Sequence, residues 1–416
     1  MIIRFTARMA CCCLAAVAAG AFGLLPASAV PLDDPAPRPG SVDASLLQQP
    51  GTHAGSLHGA PELPDDVSAL SWLVADADTG DVLAAHDAHR RLPPASTIKT
   101  LFAVTALPRL SDAPPHTVTE EELATVGEGS SRVGIAAGRT YTVDDLWRGV
   151  FLSSGNDAVH VLAEMNGGWA ATAEQMQVKA RALGAFDTHV VSPDGYDEPG
   201  QVSSAYDLAV FGRAGLENRR FASYVATAEA QFPGGTADDG TPTWTYGIQN
   251  TNRLLTGANG VKKYPGIIGV KNGYTSHAGN TLIAAAERDG RTLIVTVMNP
   301  QEGGGHAVYE EARSLLDWGF ASVGRAEPVG SLAPPVVRSA PAAGPGPLPL
   351  SATPLAHTAR TGTPQAAEPG RPGAVAAEAG SGIAYAWVGA FVGTAGAAAY
   401  LVLRLRRGPR RPGSPF

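Results

Sequence analysis

The sequence is poor in cysteine. Of its 416 residues only three are cysteine, and all three lie at positions 11–13. Removal of the segment that contains them would leave a chain without a thiol, which excludes disulfide bonds and thiolate metal sites. The histidines do not indicate a metal site either, because His86 and His89 lack a third ligand at a recognisable spacing. We therefore expect neither a metal nor another cofactor.

The segment that holds the cysteines has the three parts of a secretory signal peptide. Arg4 and Arg8 precede an apolar stretch from Met9 to Leu25, and Ala27-Ser28-Ala29 supplies the small residues of a cleavage site. We predict a signal peptide over residues 1–29. A lipoprotein anchor is the alternative, but the cysteines precede most of the apolar region instead of following it. The remaining protein is therefore expected outside the cytoplasm.

Positive charge is also scarce. The formal net charge is −7, which gives no indication of a nucleic-acid partner. Lysine is especially rare, since only five of the 31 basic residues are lysine: Lys99, Lys179, Lys262, Lys263 and Lys271. Short motifs that contain a lysine are therefore informative in this chain.

A second apolar stretch lies near the other end of the chain. Near the C-terminus, the 21 residues from Ile383 to Leu403 carry no charge, and five arginines lie between positions 404 and 411. This length and one-sided charge predict a transmembrane helix over residues 382–403 and a basic cytoplasmic tail over 404–416. A buried core helix is the alternative interpretation. The prediction places the protein in the cell membrane as a single-pass chain, with its main domain facing the cell wall.

The rest of the chain divides by composition. Residues 30–64 are rich in Pro, Asp and Gly and indicate a flexible leader, and residues 325–381 indicate a Pro/Ala-rich linker. One domain, residues 65–324, remains between them.

Within this domain, local patterns predict both strands and helices. Residues 71–75 and 82–85 flank a turn-rich connection, and residues 281–286 and 292–297 flank Glu287-Arg-Asp-Gly-Arg291, so each pair predicts a hairpin. A helix is expected near Ser96, a second begins after Thr142 as N-cap, and a third, amphipathic helix spans residues 307–320. Strands at both ends with helices between them predict an α+β fold, an antiparallel sheet covered by helices.

Ser96 and Lys99 form the first chemical motif, in Ser96-Thr97-Ile98-Lys99. Residues three apart share a face of a helix, so the two side chains can meet. A serine hydroxyl needs a neighbouring base to become a nucleophile, and lysine can serve when burial or a second cation keeps its amine neutral. Lys271 is the candidate second cation. The alternative is a solvated lysine beside an N-cap serine.

Two further motifs complete the set. Ser154-Gly155-Asn156 follows an apolar helix and is consistent with a tight loop, in which a hydroxyl relays a proton and an amide holds the substrate. Lys271-Asn272-Gly273 follows a predicted strand at residues 267–270, where a cation can bind a carboxylate and a glycine lets a peptide approach. Taken alone, each is also compatible with an ordinary turn. Their order and spacing together indicate a serine acyl-transfer enzyme with a lysine base.

With these motifs, the chain resembles the serine D-Ala-D-Ala carboxypeptidases. These are the low-molecular-mass penicillin-binding proteins of the S11 peptidase family, which share the β-lactamase fold. The resemblance covers roughly residues 66–320. It is carried by Pro94-Ala-Ser-Thr-Ile-Lys99, Gly129-Ser-Ser-Arg-Val-Gly134, Ser153-Ser-Gly-Asn-Asp-Ala158, Ser192-Pro-Asp-Gly195, Ser203-Ser-Ala-Tyr-Asp-Leu208 and Gly269-Val-Lys-Asn-Gly-Tyr-Thr275.

The resemblance implies roles for individual residues. Ser96 would be the acylated nucleophile and Lys99 the general base. Ser154 and Asn156 would act as proton relay and substrate positioner, and Lys271 would bind the substrate carboxylate. The backbone amides of Ser96 and Tyr274 would form the oxyanion hole. It also implies a peptidoglycan stem peptide as substrate and β-lactams as covalent inhibitors. Asn272 departs from the family pattern, which has Thr or Ser beside the glycine, so weaker recognition of the substrate carboxylate is expected.

Two alternatives to a carboxypeptidase follow from the same motifs. One is a β-lactamase, which the long linker and the sequence around the motifs disfavour. The other is a penicillin- or wall-binding protein with little turnover because of Asn272. Release of D-alanine from a D-Ala-D-Ala peptide separates the carboxypeptidase from the binding protein.

Overall fold

The computed structural model describes residues 45–55, 59–237 and 241–333. The predicted signal peptide, transmembrane helix and cytoplasmic tail, and the linker beyond residue 333, lie outside the described residues. Among the helices that are described, none combines the length and the hydrophobicity needed to cross a bilayer.

The described residues contain strands, α-helices and a few 3-10 turns. The strands are β1 (Thr52–Ala54), β2 (Ala69–Asp76), β3 (Asp81–His86), β4 (His116–Thr117), β5 (Thr140–Tyr141), β6 (Glu229–Thr236), β7 (Pro242–Gln249), β8 (Ile267–Thr275), β9 (Gly279–Arg288), β10 (Arg291–Pro300) and β11 (Gly330–Ser331). The helices are α1 (Lys99–Leu110), α2 (Glu120–Ala124), α3 (Val143–Leu152), α4 (Asn156–Met165), α5 (Trp169–Ala182), α6 (Ala205–Leu216), α7 (Arg219–Ala226), α8 (Arg253–Thr256) and α9 (Ala307–Ser322).

The main sheet is antiparallel. In the described part of the chain its strand order is β1-β3-β2-β10-β9-β8, and β11 also pairs with β3. Both predicted hairpins are confirmed, as β2–β3 and β9–β10. The second turns through Asp289 and Gly290, whose φ values of 52° and 73° are the two positive values that a type I′ turn requires.

Helices cover both faces of this sheet, which confirms the predicted α+β fold. Side chains alternate along β10: Leu293, Val295 and Val297 pack on the face that carries α9, whereas Ile294 and Met298 join the larger core, on the face that α6 covers. This period of two is what buries a strand on both sides. The predicted closing helix is α9, and the predicted helix after Thr142 is α3, with the Thr142 side chain accepting from the Asp145 amide at 3.1 Å.

The sheet reaches beyond the limits predicted for the domain. Thr52–Ala54, within the segment expected to be a flexible leader, pairs with β3. Gly330–Ser331, within the segment expected to be a linker, pairs with the same strand. Strands this short carry too little sequence pattern to be recognised without their partner.

Candidate active site

Ser96 lies in a 3-10 turn, Ala95–Ile98, that leads directly into α1. The helix predicted near Ser96 is thus present, and it begins at Lys99. The preceding residue, Ala95, has a φ of 49°, in the left-handed region that side chains other than glycine seldom adopt. A Cβ on Gly195 would lie 2.1 Å from the Ala95 carbonyl oxygen, so only glycine allows this close approach to the turn. The serine is therefore presented on a tightly constrained segment.

Lys99 is the centre of the site. Its side chain is fully buried, and its Nζ atom lies 2.7 Å from Ser96 Oγ, 3.4 Å from Ser154 Oγ and 2.6 Å from Asn156 Oδ1. The structure therefore brings together the first two sequence motifs around one amine. A neutral amine in this position has a lone pair for the serine hydroxyl proton and two N–H groups for the other partners.

Burial shifts the protonation of Lys99 in the direction that a base requires. Desolvation lowers the pKa of Lys99 to about 8, against the charges of Asp194 and Asp157, which raise it. Burial was one of the two causes expected from the sequence, and its effect on the pKa of Lys99 is larger than the opposing effect of the two carboxylates. The pKa of Lys271 is also lowered, first by its own burial and then by the charge of Lys99.

Ser154 and Asn156 occupy the loop and helix start that the sequence predicts. Helix α3 ends at Leu152 and α4 begins at Asn156, so the three residues Ser153, Ser154 and Gly155 make the turn. Ser154 has a φ of 54°, which points to a backbone conformation maintained by its surroundings. The backbone N–H of Asn156 donates to the backbone carbonyl of Ser131 at 2.8 Å, which connects the turn to the segment around residue 131.

Two buried aspartates support this region, and the motifs assigned a role to neither. Asp157 accepts hydrogen bonds from the backbone N–H groups of residues 133–135 and fixes the segment that precedes α3. Asp194 accepts from Asn156 Nδ2 at 2.7 Å. The sequence offers one signal for Asp194, its place in the Ser192-Pro-Asp-Gly195 stretch that contributes to the family resemblance, but its partner Asn156 is distant in sequence.

The third motif lies within the edge strand β8. Lys271 is 1 % exposed and donates from Nζ to the Asn272 carbonyl at 2.7 Å, which differs from the expected cation at the edge of a cleft. Gly273 packs against the nucleophile segment, because a Cβ there would lie 2.7 Å from the Ser96 nitrogen. Tyr274, the next residue, is 68 % exposed.

Asn272 belongs to a small polar network. Its Oδ1 atom accepts a hydrogen bond from Thr251 Oγ1 at 2.9 Å, and the Thr251 carbonyl in turn accepts from the Tyr309 hydroxyl at 3.3 Å. The NH2 group is the part of the Asn272 side chain that can donate to a ligand. The sequence pattern identified Asn272 but gave no sign of Thr251.

These elements enclose a cavity of about 540 Å³. Its lining among the described residues includes Ser96, Ser154, Asn156, Asn272, Gly273 and Tyr274, while Lys99 and Lys271 lie behind it. Six of the eight predicted site residues thus face one cavity, which is large enough for a peptide end.

Comparison with known proteins agrees with this geometry. The family model described as D-alanyl-D-alanine carboxypeptidase, peptidase family S11, matches residues 58–302. The D-alanyl-D-alanine carboxypeptidase DacB2 of Mycobacterium tuberculosis is 40 % identical over 277 residues, which cover 66 % of this chain and 89 % of the relative. The carboxypeptidase DacD of Escherichia coli is 36 % identical over 62 % of this chain and 64 % of its own length.

Solved structures give the same result. The crystal structure of the M. tuberculosis D-alanyl-D-alanine carboxypeptidase is 39 % identical, with a TM-score of 0.58, and covers 66 % of this chain and 99 % of its own. The Streptomyces K15 DD-transpeptidase is 27 % identical, with a TM-score of 0.56, over 63 % of this chain and all of its own. Because the family model spans more than half of the sequence, the chain belongs to the D-alanyl-D-alanine carboxypeptidase family of serine-type peptidases.

Proposed function

We propose that this chain removes the terminal D-alanine from peptidoglycan stem peptides through an acyl-enzyme formed on Ser96. The observation that carries the proposal is the buried Lys99 amine, which lies 2.7 Å from the Ser96 hydroxyl and 3.4 Å from that of Ser154. A lysine with a lowered pKa beside a serine is a general way to activate a weak nucleophile.

In the first step, Ser96 Oγ attacks the carbonyl carbon of the penultimate D-alanine, and its proton passes to the neutral Lys99 amine. The carbonyl oxygen becomes an oxyanion, for which the backbone N–H groups of Ser96 and Tyr274 are the proposed donors. The C–N bond then breaks, and the proton moves from Lys99 through the Ser154 hydroxyl to the departing D-alanine nitrogen. Water hydrolyses the resulting ester by the same groups and frees Ser96.

The remaining motif residues are proposed to hold the substrate. Asn156 and Gly273 face the cavity and suit contact with the peptide backbone. Lys271 and Asn272 are the proposed recognition elements for the terminal carboxylate. Lys271 is buried behind the cavity wall and its pKa is lowered, so it would act through its charge once the substrate carboxylate favours the protonated amine. The NH2 group of Asn272 would make the direct contact.

The nucleophile is tested by intact mass after incubation with benzylpenicillin, together with release of D-alanine from a D-Ala-D-Ala peptide. The wild-type chain should form a covalent adduct and release D-alanine, and Ser96→Ala should do neither. Ser111→Ala, just past the other end of α1, is the matched control and should behave like the wild type. An adduct of undiminished yield in Ser96→Ala would remove Ser96 from the mechanism.

The same experiment separates the alternatives. A penicillin-binding protein with little turnover is the second candidate, and the amide at position 272 favours it, because an amide is longer than the hydroxyl of Thr or Ser and its oxygen, which accepts from Thr251, cannot donate to a carboxylate. Adduct formation without D-alanine release would support that candidate. An adduct that disappears rapidly, with hydrolysed penicillin as product, would indicate a β-lactamase.

Export and membrane anchoring are a separate part of the proposal. They are supported by the pattern of residues 1–29, the uncharged stretch from Ile383 to Leu403 and the arginines that follow it. Truncation after Ser381 should release a secreted domain, and protease added to intact cells should remove the domain of the full-length chain. Complete protection from the protease would contradict the proposed orientation.

A further inference from the structure

Asp194 is a buried carboxylate in direct contact with the proposed machinery. It is 2 % exposed, and its Oδ2 atom accepts from Asn156 Nδ2 at 2.7 Å. Its Oδ1 atom accepts from Ser192 Oγ at 2.9 Å and from the Tyr196 amide at 3.0 Å. Its side chain is therefore fixed from both sides, and the proposed mechanism leaves it without a role.

We propose that Asp194 is a positioning residue for the acylation step, which orients the Asn156 amide toward Lys99 and places a negative charge beside the Lys99 amine. The inference rests on the proposed function in one respect, the assignment of Lys99 as the base.

The orientation follows from hydrogen-bond chemistry. A carboxylate is only an acceptor, whereas an asparagine side chain has one accepting oxygen and one donating NH2 group. Because Asp194 takes the NH2 group of Asn156, the Asn156 oxygen is directed to Lys99 Nζ, at 2.6 Å. Without Asp194, the amide could turn its NH2 group toward the lysine and leave a buried contact unsatisfied.

The charge of Asp194 acts on Lys99 together with the other ionisable groups around it. Of the two carboxylates that oppose the effect of burial on the pKa of Lys99, Asp194 has the larger influence and Asp157 the smaller. The charge of Asp157 is engaged by several backbone N–H groups, and Lys271 is the neighbouring cation. Asp194 therefore maintains the basicity of an amine that burial alone would weaken further.

His160 lies on the other side of Asp194, with Nε2 4.0 Å from Oδ2. Burial lowers the pKa of His160 below its ordinary value, despite the opposing charges of Asp194 and Asp157, and Arg132 and Lys99 lower it further. The imidazole is then neutral at neutral and alkaline pH. It does not cancel the charge that Asp194 presents to Lys99.

The test separates charge from orientation with two substitutions. Asp194→Asn keeps an acceptor oxygen for Asn156 but removes the charge, and Asp194→Ala removes both. The measurement is the rate of acylation by benzylpenicillin, followed by intact mass across neutral and alkaline pH. In the wild type the rate should rise with pH through about 8, as Lys99 loses its proton.

We expect Asp194→Asn to shift this rise to lower pH by about one pH unit and to leave the plateau rate close to that of the wild type. Asp194→Ala should show the same direction of shift and also a plateau about tenfold lower or more, because the Asn156 amide loses a charged partner. Asp207→Asn, at another fully buried aspartate that bonds Thr188 instead, is the matched control and should keep the wild-type pH dependence.

A wild-type pH dependence in Asp194→Asn, or an unchanged plateau in Asp194→Ala, would overturn the proposal. If Asp194→Asn fails to fold, Asp194→Ser, which also removes the charge, carries the same expectation for the pH dependence. NMR titration of carbon-13-labelled lysine, assigned with Lys99→Met, measures the shift without any reaction. A wild-type chain inert toward penicillin and peptide would therefore refute the proposed function, while the titration would still decide the role of Asp194.

Discussion

The two walls of the cavity are built in different ways. The helical wall consists of Ser96, Ser154 and Asn156 with Lys99 directly behind them, and the strand wall consists of Asn272, Gly273 and Tyr274. On the helical wall, one fully buried amine connects three side chains, and Asp194 holds the Asn156 amide from behind. On the strand wall, Tyr274 is 68 % exposed, and the Asn272 side chain bonds Thr251 on a neighbouring loop.

This difference indicates that the two walls serve different parts of the reaction. Groups that transfer protons gain from a dry, fixed environment, because electrostatic interactions are stronger there and need no reorganisation during the reaction. Groups that admit a peptide end must remain open to it. We therefore expect changes in the helical wall to affect chemistry on every substrate, and changes in the strand wall to depend on the substrate.

The largest expected effect comes from the helical wall, at Lys99. Lys99→Met keeps the length of the side chain but removes the base, so acylation by benzylpenicillin and kcat/KM on the peptide should both fall by roughly 10³-fold, within the range found for general bases. The rise of activity with pH through about 8 should also disappear, since it reports deprotonation of Lys99. Pre-steady-state acylation rates across pH provide the measurement.

Lys262→Met is the control for this change, because Lys262 is an exposed lysine outside the lining of the cavity. It should retain the wild-type rate and pH dependence. A Lys99→Met protein that still acylates with the original pH dependence would show that another group is the base.

The second effect tests the contact between the two walls, at Gly273. Gly273→Ala introduces a Cβ that would lie 2.7 Å from both the Ser96 nitrogen and Thr281 Oγ1, so the strand or the serine must move. A displacement of this kind at a reacting group costs on the order of 100-fold in rate. We expect kcat/KM on the peptide and penicillin acylation to fall together by that amount.

Gly247→Ala provides the control for a strand glycine. A Cβ there would have only the Gln231 amide nitrogen within 4 Å, at 3.9 Å. Its activity should be unchanged, and thermal unfolding should distinguish a local effect of Gly273→Ala from loss of the fold. Wild-type activity in Gly273→Ala would mean that the two walls are less closely coupled than their contact indicates.

The same contrast explains how much the sequence could predict. The hairpins, the Thr142 cap and the serine, lysine and asparagine motifs each depend on neighbours within a few residues, so local patterns were sufficient. Asp194 acts on Asn156 across 38 residues, and Thr251 on Asn272 across 21. Such pairs arise from the packing of distant segments, and polar residues of this kind have no periodicity that indicates their partner.

The third effect belongs to the strand wall, at Asn272. Asn272→Thr introduces the hydroxyl typical of the family and removes the amide that accepts from Thr251. A hydrogen bond to a charged group is worth roughly 1.5–3 kcal/mol, and the NH2 group of Asn272 supplies part of this stabilisation in the wild type. We therefore expect kcat/KM on a D-Ala-D-Ala peptide to rise about tenfold, in a steady-state assay of D-alanine release.

The change in penicillin acylation should be smaller if the charge of Lys271 dominates the recognition of the β-lactam carboxylate. Asn272→Ala, which offers neither hydroxyl nor amide, should be slower on the peptide than both other proteins. If Asn272→Thr is no faster than the wild type, the asparagine is an adapted substrate contact.

The smallest effect is expected at Thr251, which supports the strand wall from outside the motifs. Thr251→Val has nearly the same shape but cannot donate to Asn272 Oδ1, so the amide loses the hydrogen bond that orients it. A neutral, solvent-exposed hydrogen bond is worth about 0.5–1.5 kcal/mol, and we expect a fall in kcat/KM on the peptide of about threefold, near the lower end of that range. Penicillin acylation should change less.

If Thr251 acts through the Asn272 amide, the same substitution made together with Asn272→Thr should have a smaller effect, because the amide it orients is gone. Equal effects in the two backgrounds, measured as a double-mutant cycle, would show that Thr251 contacts the substrate directly.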